Sequence, residues 1–183
     1  RNTSTIFEQR YGADATSLNV KAPLILRGAG ENATVLTTSI AGQNSASMLD
    51  ARGGRFLAIS DITLDPKTTE GTRATVYGAE DSVITLDRVT VKGAGENGVM
   101  VGSPRLVMLR DVWIDGTGFH PFSAWDHCMY ITGYPNPKEV QVHGGAAWGC
   151  PVHAYKSRAD RTWISNAHAL GSGMGAIVDF PNG

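Results

Sequence analysis

Two stretches of sequence decide the fold: residues 86–93 read LDRVTVKG, and residues 109–116 read LRDVWIDG. Their leucine, branched apolar and glycine positions coincide at a constant offset of 23 residues. A second pair, residues 142–149 (VHGGAAWG) and 164–171 (ISNAHALG), repeats with an offset of 22. Short apolar stretches that recur at a nearly fixed interval indicate a solenoid, in which each repeat forms one coil and stacks on the next.

The repeat extends in both directions, with one interruption. The pentapeptide GAGEN stands at residues 28–32 and again at 93–97, an offset of 65 that is close to three periods. The step from Leu109 to Val142 is 33 residues, which we interpret as one period plus an inserted loop of about ten residues. We assign that loop to residues 118–125 (GFHPFSAW), with a smaller excursion at 134–137.

The segments between the turns are typical of strands. Runs of three to five residues alternate apolar and polar side chains and end at Gly, Asp, Asn or Pro; only residues 5–12 resemble a short helix. The pattern predicts an all-β parallel β-helix solenoid, one domain over residues 1–183. An antiparallel sandwich also has short strands, but it does not require a constant offset. Because a turn-type FPNG closes the sequence, we expect a piece of a longer chain.

Composition agrees with a turn-rich fold and narrows the function. The chain has 22 glycines, and charged residues make up only 18% of it. Its 16 Lys and Arg against 17 Asp and Glu give a net charge of -1, which argues against a nucleic-acid partner. No stretch approaches the roughly 20 apolar residues of a membrane span, so none is expected.

Three segments in the last third carry a resemblance. They are residues 127–131 (HCMYI), 153–159 (HAYKSRA) and 177–183 (IVDFPNG). Together they resemble the pectate-lyase-like superfamily of right-handed parallel β-helix proteins, whose bacterial members pair a His-x-x-Tyr strand with Lys-Ser-Arg-Ala and Asp-Leu-Pro-Asn-Gly strands. The resemblance implies a right-handed parallel β-helix of about seven coils. It also implies a secreted or periplasmic protein that binds a polysaccharide or oligosaccharide.

Strand alternation then predicts which side chains leave the core. Val99, Met129, Tyr155 and Val178 are expected to point inward. The outward column would consist of Met100, Tyr130, Lys156 and Asp179, with Lys156 and Asp179 stacked as an ion pair, either structural or catalytic.

The residues near this column fit chemistry on an acidic polysaccharide. β-Elimination and C5-epimerisation both begin when a base removes the C5 proton of a uronate, and both need the neighbouring carboxylate neutralised. We expect Lys156 to be the base, with Arg158 nearby, and Tyr130 or His127 to be the acid. Expected substrate-binding residues are His153, Asp179, Asp126 and Trp125, the last from the inserted aromatic loop.

The Lys156-Ser157 pair also resembles the Lys-Ser strand of β-helix alginate lyases and chondroitinase-like lyases. In those enzymes the Lys acts as base and an Arg about one coil later assists. Here the corresponding coil offers Asp179 and no Arg, so Arg158 would have to take that role. Two other classes stay open: a non-catalytic glycan-binding or structural β-helix, such as an adhesin or tailspike stalk, and a hydrolase using Asp126, Asp160 or Asp179.

The remaining expectations concern the cysteines, cofactors, and the Asn and Trp residues to which we assign no part in a site. Cys128 and Cys150 stand about one coil apart, which suits either a disulfide or two buried thiols. No cofactor is expected, because no cluster of carboxylates suitable for Ca²⁺ stands out. We expect turn roles for Asn97, Asn166 and Asn182, and packing roles for Trp113, Trp148 and Trp163.

Overall fold

The computed structural model describes residues 18–37, 46–66, 72–92, 96–116, 127–133 and 138–178. Residues 5–12 and 118–125, for which a helix and an aromatic loop are predicted, lie outside these ranges. Every element described is a strand, and the seventeen are β1 (Leu18–Asn19), β2 (Leu24–Arg27), β3 (Val35–Thr37), β4 (Ala46–Ala51), β5 (Phe56–Asp65), β6 (Thr72–Ala79), β7 (Val83–Lys92), β8 (Asn97–Gly102), β9 (Leu106–Arg110), β10 (Trp113–Asp115), β11 (His127–Thr132), β12 (Glu139–His143), β13 (Ala146–Trp148), β14 (His153–Ser157), β15 (Arg161–Ser165), β16 (His168–Leu170) and β17 (Met174–Val178).

The strands form two all-parallel sheets that stack on each other. The seven-stranded sheet has the order β1-β4-β6-β8-β11-β14-β17, and the other ten strands form the second sheet. Along the chain, each strand of the seven-stranded sheet except the last is followed by one or two strands of the other sheet, so each passage through both sheets is one repeat. The architecture is therefore all-β and solenoid-like, as the repeat predicts, and not an antiparallel sandwich.

The strand register confirms the offsets that decided the fold. Leu86 lies opposite Leu109, the residue that matches it in the first pair of repeated stretches. Val142 lies opposite Ile164, its match in the second pair. The interrupted step is also confirmed, because Leu109 lies opposite Val142. Residues that match in the repeat are therefore direct neighbours on adjacent strands.

The GAGEN repeat, by contrast, does not correspond to equivalent places in the fold. Asn97 begins β8 and lies opposite Ala74, which in turn lies opposite Ser47. Residues 28–32 instead follow β2 and belong to the turn that leads to β3. The similar pentapeptides are therefore coincidental, and their offset does not measure coils.

Left-handed backbone at recurring positions bends the ten-stranded sheet. Asp61, Arg88, Asp111 and Asn166 all have positive φ, between 49° and 57°. Asp and Asn tolerate this region, whereas Arg88 is unusual there. Its guanidinium donates two hydrogen bonds to Asp61, at 2.7 and 3.1 Å, which lowers the pKa of that carboxyl. The turn role predicted for Asn166 is confirmed.

The core is a set of inward columns that run along the stack. On the seven-stranded sheet, consecutive coils contribute Leu49, Val76, Val99, Met129 and Tyr155, all buried and in register. Full burial of one such side chain contributes about 1.5–3 kcal/mol. The inward direction predicted for the last three of these is thereby confirmed.

Candidate functional site

Three of the four residues of the predicted outer column lie in register on the seven-stranded sheet. Met100 lies opposite Tyr130, and Tyr130 lies opposite Lys156, so the register predicted for this longer coil is correct. The ammonium of Lys156 sits over the Tyr130 ring, 5.2 Å from its centroid. The column continues towards the N-terminus through Tyr77 and Asp50.

The last predicted step of the column is wrong. Lys156 lies opposite Ile177 instead of Asp179, and Tyr155 lies opposite Ala176 instead of Val178. The reason is that this coil is shorter than the period that decided the fold, so each partner comes earlier in the chain. The predicted Lys156–Asp179 stacking is thereby excluded, and Asp179 itself lies outside the described residues.

Two histidines join Tyr130 and Lys156 because strand alternation breaks in β11. Cys128 and Met129 are neighbours in sequence, yet both belong to the hydrophobic core. His127 consequently falls on the side of Tyr130, and the two rings meet edge to face with centroids 4.9 Å apart. The His153 ring lies 4.9 Å from His127. The structure thus brings His127, His153, Tyr130 and Lys156 together, although alternation alone would have placed His127 inside.

The polar side chains of the two histidines and Tyr130 are almost completely buried. His127 is 1% exposed, His153 6% and Tyr130 7%, while Lys156 is half-buried. Buried polar groups require partners, and leaving a buried donor unpaired costs about 1–3 kcal/mol. The hydrogen bonds of the two imidazoles therefore decide what the site offers a ligand.

Hydrogen bonding defines the proton positions on the imidazole pair. The backbone N–H of His153 donates to Nδ1 of His127 at 3.3 Å, and Nδ1 of His153 lies 3.2 Å from the same atom. An atom that accepts from a backbone N–H has its lone pair there, so neutral His127 carries its proton on Nε2. Nδ1 of His153 is then the second donor, and its own Nε2 keeps a lone pair. The pair offers one N–H donor and one acceptor nitrogen.

Both histidines are neutral at pH 7. Burial, then the neighbouring His153, then the positive charge of Lys156 lower the pKa of His127 to about 4. Burial and Lys156 also lower the pKa of His153. Desolvation and a nearby cation both disfavour a second positive charge. A ligand would consequently meet a cationic Lys156 beside two uncharged imidazoles.

Asn97 is a site residue that sequence reasoning missed. The predicted turn role is wrong, because Asn97 begins β8 and is 1% exposed. Its Oδ1 accepts a hydrogen bond from the backbone N–H of His127 at 3.3 Å, and its Nδ2 lies 3.7 Å from the Sδ of Met100. Its position opposite His127 could not be predicted from the repeat, because the inserted loop makes the interval between Asn97 and His127 longer than the regular period.

A disulfide holds the strand of His127 against the segment that precedes His153. Cys128 and Cys150 are joined, with their Cα atoms 5.5 Å apart, which decides between the two alternatives left open by the sequence. The bond closes a 22-residue segment that starts beside His127 and ends shortly before His153. It therefore ties β11 to the segment between β13 and β14, shortly before the strand that begins with His153.

The other predicted site residues differ in what the structure says of them. Arg158 follows β14 directly, is half-buried, and donates its backbone N–H to the carbonyl of Ile131 at 3.1 Å. Trp125 and Asp126 lie outside the described residues, as do Asn182 and His120. Asp160, a candidate of the hydrolase alternative, is exposed just after β14.

A second surface on the ten-stranded sheet carries exposed aromatic rings. Trp113 is 43% and Trp163 47% exposed, so the packing role predicted for these two is wrong: both point outward, whereas Ile114 and Ile164 point to the core. The rings of Trp113 and Trp148 meet edge to face with centroids 5.9 Å apart. Together with the exposed Leu170 they line a shallow, open depression, here called the tryptophan surface.

Comparisons with known proteins give no family. No protein-family model, no curated protein and no solved structure matches this chain. Within the described ranges, no three His, Cys, Asp or Glu side chains form a metal-binding group. The same part of the chain contains no helix long and apolar enough to cross a membrane.

Proposed function

We propose that this protein is a right-handed parallel β-helix of about seven coils that acts on an acidic polysaccharide by removing the C5 proton of a uronate. Right-handed crossovers are the rule for parallel strands, which supports the handedness. The observation that carries the function is the stack of Lys156 on Tyr130 beside two histidines held neutral. Such a site combines one cation with neutral groups able to bind oxygen and move a proton.

The two candidate reactions share this first step. A base takes the C5 proton, and the electrons of that bond move towards the carboxylate, whose growing negative charge must be neutralised. In elimination a C4=C5 double bond forms, the C4–O bond breaks, and the leaving oxygen takes a proton. In epimerisation a proton returns to C5 from the opposite face.

The geometry favours roles for Lys156 and Tyr130 that differ from those expected from the sequence, where Lys156 is the base. Among the described residues no carboxylate is ion-paired with Lys156, so its charge is available to neutralise a uronate carboxylate. Tyr130 is then the base: its phenol first gives its own proton to water, the cation over the ring stabilises the phenolate, and the phenolate oxygen takes the C5 proton. His127, His153 and Arg158 bind the sugar.

Three further contacts complete the proposed site. Trp125, from the aromatic loop, would stack on a sugar ring, and Asp126 and Asp179 would accept hydrogen bonds from hydroxyls. A secreted or periplasmic location is part of the proposal, supported by the disulfide, since such bonds persist in oxidising compartments.

Exchange at C5 tests the proposal directly. The whole protein is incubated in D₂O with alginate, polygalacturonate, glucuronan and hyaluronan, and the products are examined by NMR for deuterium at C5. Ultraviolet absorbance of unsaturated uronates then separates elimination from epimerisation. We expect C5 exchange on at least one polymer, lost in Tyr130→Phe and kept in Tyr77→Phe, a matched tyrosine of the same column. The absence of exchange and of new absorbance on all four polymers would reject the proposal.

The tryptophan surface favours one second candidate, a non-catalytic glycan-binding or structural β-helix. Exposed aromatic faces suit the apolar faces of sugar rings, and Trp113 and Trp148 provide two of them. For this candidate we expect polysaccharide to retard the protein in affinity gels without any C5 exchange. Retardation should be lost in Trp113→Ala and kept in Lys156→Met, the reverse of the catalytic proposal.

A further inference from the structure

The strongest unexplained feature of the site is the second nitrogen of His127. Its Nε2 is buried and has no hydrogen-bond partner among the described residues. The other polar atoms around it are engaged: its backbone N–H donates to Asn97, and its Nδ1 accepts from His153. A buried ring with one satisfied end and one orphaned end indicates a ligand at the orphaned end.

We propose that His127 binds a carboxylate oxygen of an acidic ligand through its Nε2–H, and that His153 locks it in the tautomer that provides this donor. The inference rests on the proposed function for the class of ligand, a uronate. It makes His127 a hydrogen-bond donor to substrate, and it replaces the proton-donating role expected from the sequence with a binding role.

Two donors of His153 hold His127 in this tautomer, because both approach Nδ1 of His127. The backbone N–H of His153 is fixed by β14, which pairs with β11, and it donates to Nδ1 of His127 independently of the His153 side chain. The Nδ1 of His153 approaches the same atom at 3.2 Å. Moving the proton of His127 to Nδ1 would reverse the contact between the two rings and would leave the backbone N–H of His153 facing another N–H, so the Nε2–H tautomer is favoured.

The charge around the donor selects an anionic acceptor. The ammonium of Lys156 lies over the ring of Tyr130, whose edge contact with His127 brings the donor and the cation to the same side of the sheet. Hydrogen bonds to charged acceptors are stronger than those to neutral ones, and a cation nearby adds further attraction. A carboxylate therefore gains from both groups, whereas a hydroxyl or an ester gains mainly from the donor.

Two variants of His127 separate the donor from the ring. In His127→Asn, the shorter amide places its oxygen near the position of Nδ1, which keeps an acceptor for His153 but removes the donor at Nε2. In His127→Gln, the longer amide carries an N–H to about the position of Nε2. The probes are tetramers of galacturonate, mannuronate, guluronate and glucuronate, with methyl-esterified tetragalacturonate as the neutral counterpart.

The first readout is the tautomer itself, observed by long-range ¹H–¹⁵N NMR of the imidazoles. We expect His127 to carry its proton on Nε2 and His153 on Nδ1, and we expect the Nε2–H resonance of His127 to move downfield as an acidic tetramer binds. A proton on Nδ1 of His127 in the free protein would overturn the inference, as would a resonance unmoved by a tetramer that binds.

The second readout is affinity by calorimetry. We expect His127→Asn to bind the acidic tetramer about tenfold more weakly, His127→Gln to retain most of the affinity, and the methyl ester to bind all three proteins weakly. Equal affinity of His127→Asn and the natural protein would also overturn the inference. Failure of the two proposals is distinguishable: binding with the expected tautomer but no C5 exchange rejects the reaction alone, whereas C5 exchange with unweakened His127→Asn rejects the inference alone.

Discussion

Two tyrosines in one column of the seven-stranded sheet have the same immediate neighbour and different surroundings. Tyr77 and Tyr130 both face Met100 from opposite sides along the stack. Each has a cation over its ring, Arg52 at 5.4 Å from the centroid in the first case and Lys156 at 5.2 Å in the second. A cation on a tyrosine is therefore a recurring feature of this column and by itself indicates no function.

The two cations, Arg52 and Lys156, differ in whether a carboxylate of the described residues neutralises them. Asp50 is buried and takes Arg52 in a close ion pair, with Nη2 and Oδ2 2.6 Å apart, which raises the pKa of the guanidinium. Among the described residues Lys156 has no carboxylate partner, and two neutral histidines are its neighbours. A neutralised cation stabilises the fold, while an uncompensated one beside buried donors attracts an anion. We therefore infer a structural role for the Tyr77 end, and the proposed ligand site is at the Tyr130 end.

The largest effect we expect is on catalysis at one end only. Lys156→Met should lower the rate of C5 exchange by about 10³-fold, roughly 4 kcal/mol, because the carboxylate loses its neutralising partner in the transition state. Arg52→Met, the matched change at the other end, should leave the rate per folded molecule within about threefold. Both rates are measured by NMR in D₂O on the best polymer.

Lys156→Arg serves as the conservative control for this prediction. It keeps the charge but changes its position, so we expect partial activity, between that of Lys156→Met and the natural protein. Full activity of Lys156→Met would place the reaction elsewhere and remove the distinction between the two ends of the column.

The second largest effect is on stability and concerns the disulfide. Replacing Cys128 and Cys150 together by Ala should lower the free energy of unfolding by about 3 kcal/mol, the value for a closed loop of this length. Urea titration measures the loss against the oxidised natural protein, and the reduced natural protein should be as unstable as the variant. Because the bond ends beside His127, the variant should also bind the acidic tetramer more weakly. An unchanged affinity for the tetramer would show that His127 and His153 align without the disulfide.

The fold was predictable because its signal is redundant. Many inward apolar residues repeat at the same interval, so the offsets between Leu86, Leu109 and Val142 remain visible despite an insertion. The column of Met100, Tyr130 and Lys156 followed from the same alternation. A register error, as at Asp179, arises wherever one coil is shorter than its neighbours.

The site was only half predictable, for a physical reason. Alternation fails where Cys128 and Met129 both turn inward, and only coordinates show that His127 then joins Tyr130. Asn97 was missed because Asn is usual in turns, and its burial depends on a pairing across an inserted loop. Proton positions on the histidines depend on hydrogen-bond distances between individual atoms, which no spacing in a sequence encodes.

The third prediction is a difference in stability at the other end of the column. Arg52→Met should destabilise the protein by about 2 kcal/mol, because it leaves the buried carboxylate of Asp50 without its guanidinium. The half-exposed position of Arg52 keeps the loss below that of a fully buried pair. Lys156→Met should cost less than about 1 kcal/mol, since no ion pair of the described residues is broken. Urea titration of both variants would contradict the assignment of roles if the two losses were equal.

The smallest effect is a dependence of stability on pH that only the Tyr130 end produces. The pKa of His127 is about 4 in the folded protein and 6.5 when the residue is free of the fold, so between these values the unfolded chain binds more protons. The stabilisation is complete above pH 6.5 and is lost as the pH falls towards 4. The neighbours that disfavour the proton, His153 and Lys156, are absent from the unfolded state, and His153 titrates in the same direction.

Comparison of pH 7 with pH 5.5 isolates this contribution. We expect the natural protein to lose about 1 kcal/mol more than His127→Asn, which has no imidazole at this position to protonate. Urea titrations at the two pH values measure the difference, and Arg52→Met, changed at the end without histidine, should lose as much as the natural protein. Equal losses in the natural protein and His127→Asn would mean that His127 is solvated or compensated. The contrast between the neutralised Arg52 and Lys156, which has no carboxylate partner among the described residues, would then no longer support the proposed anion site at the Tyr130 end.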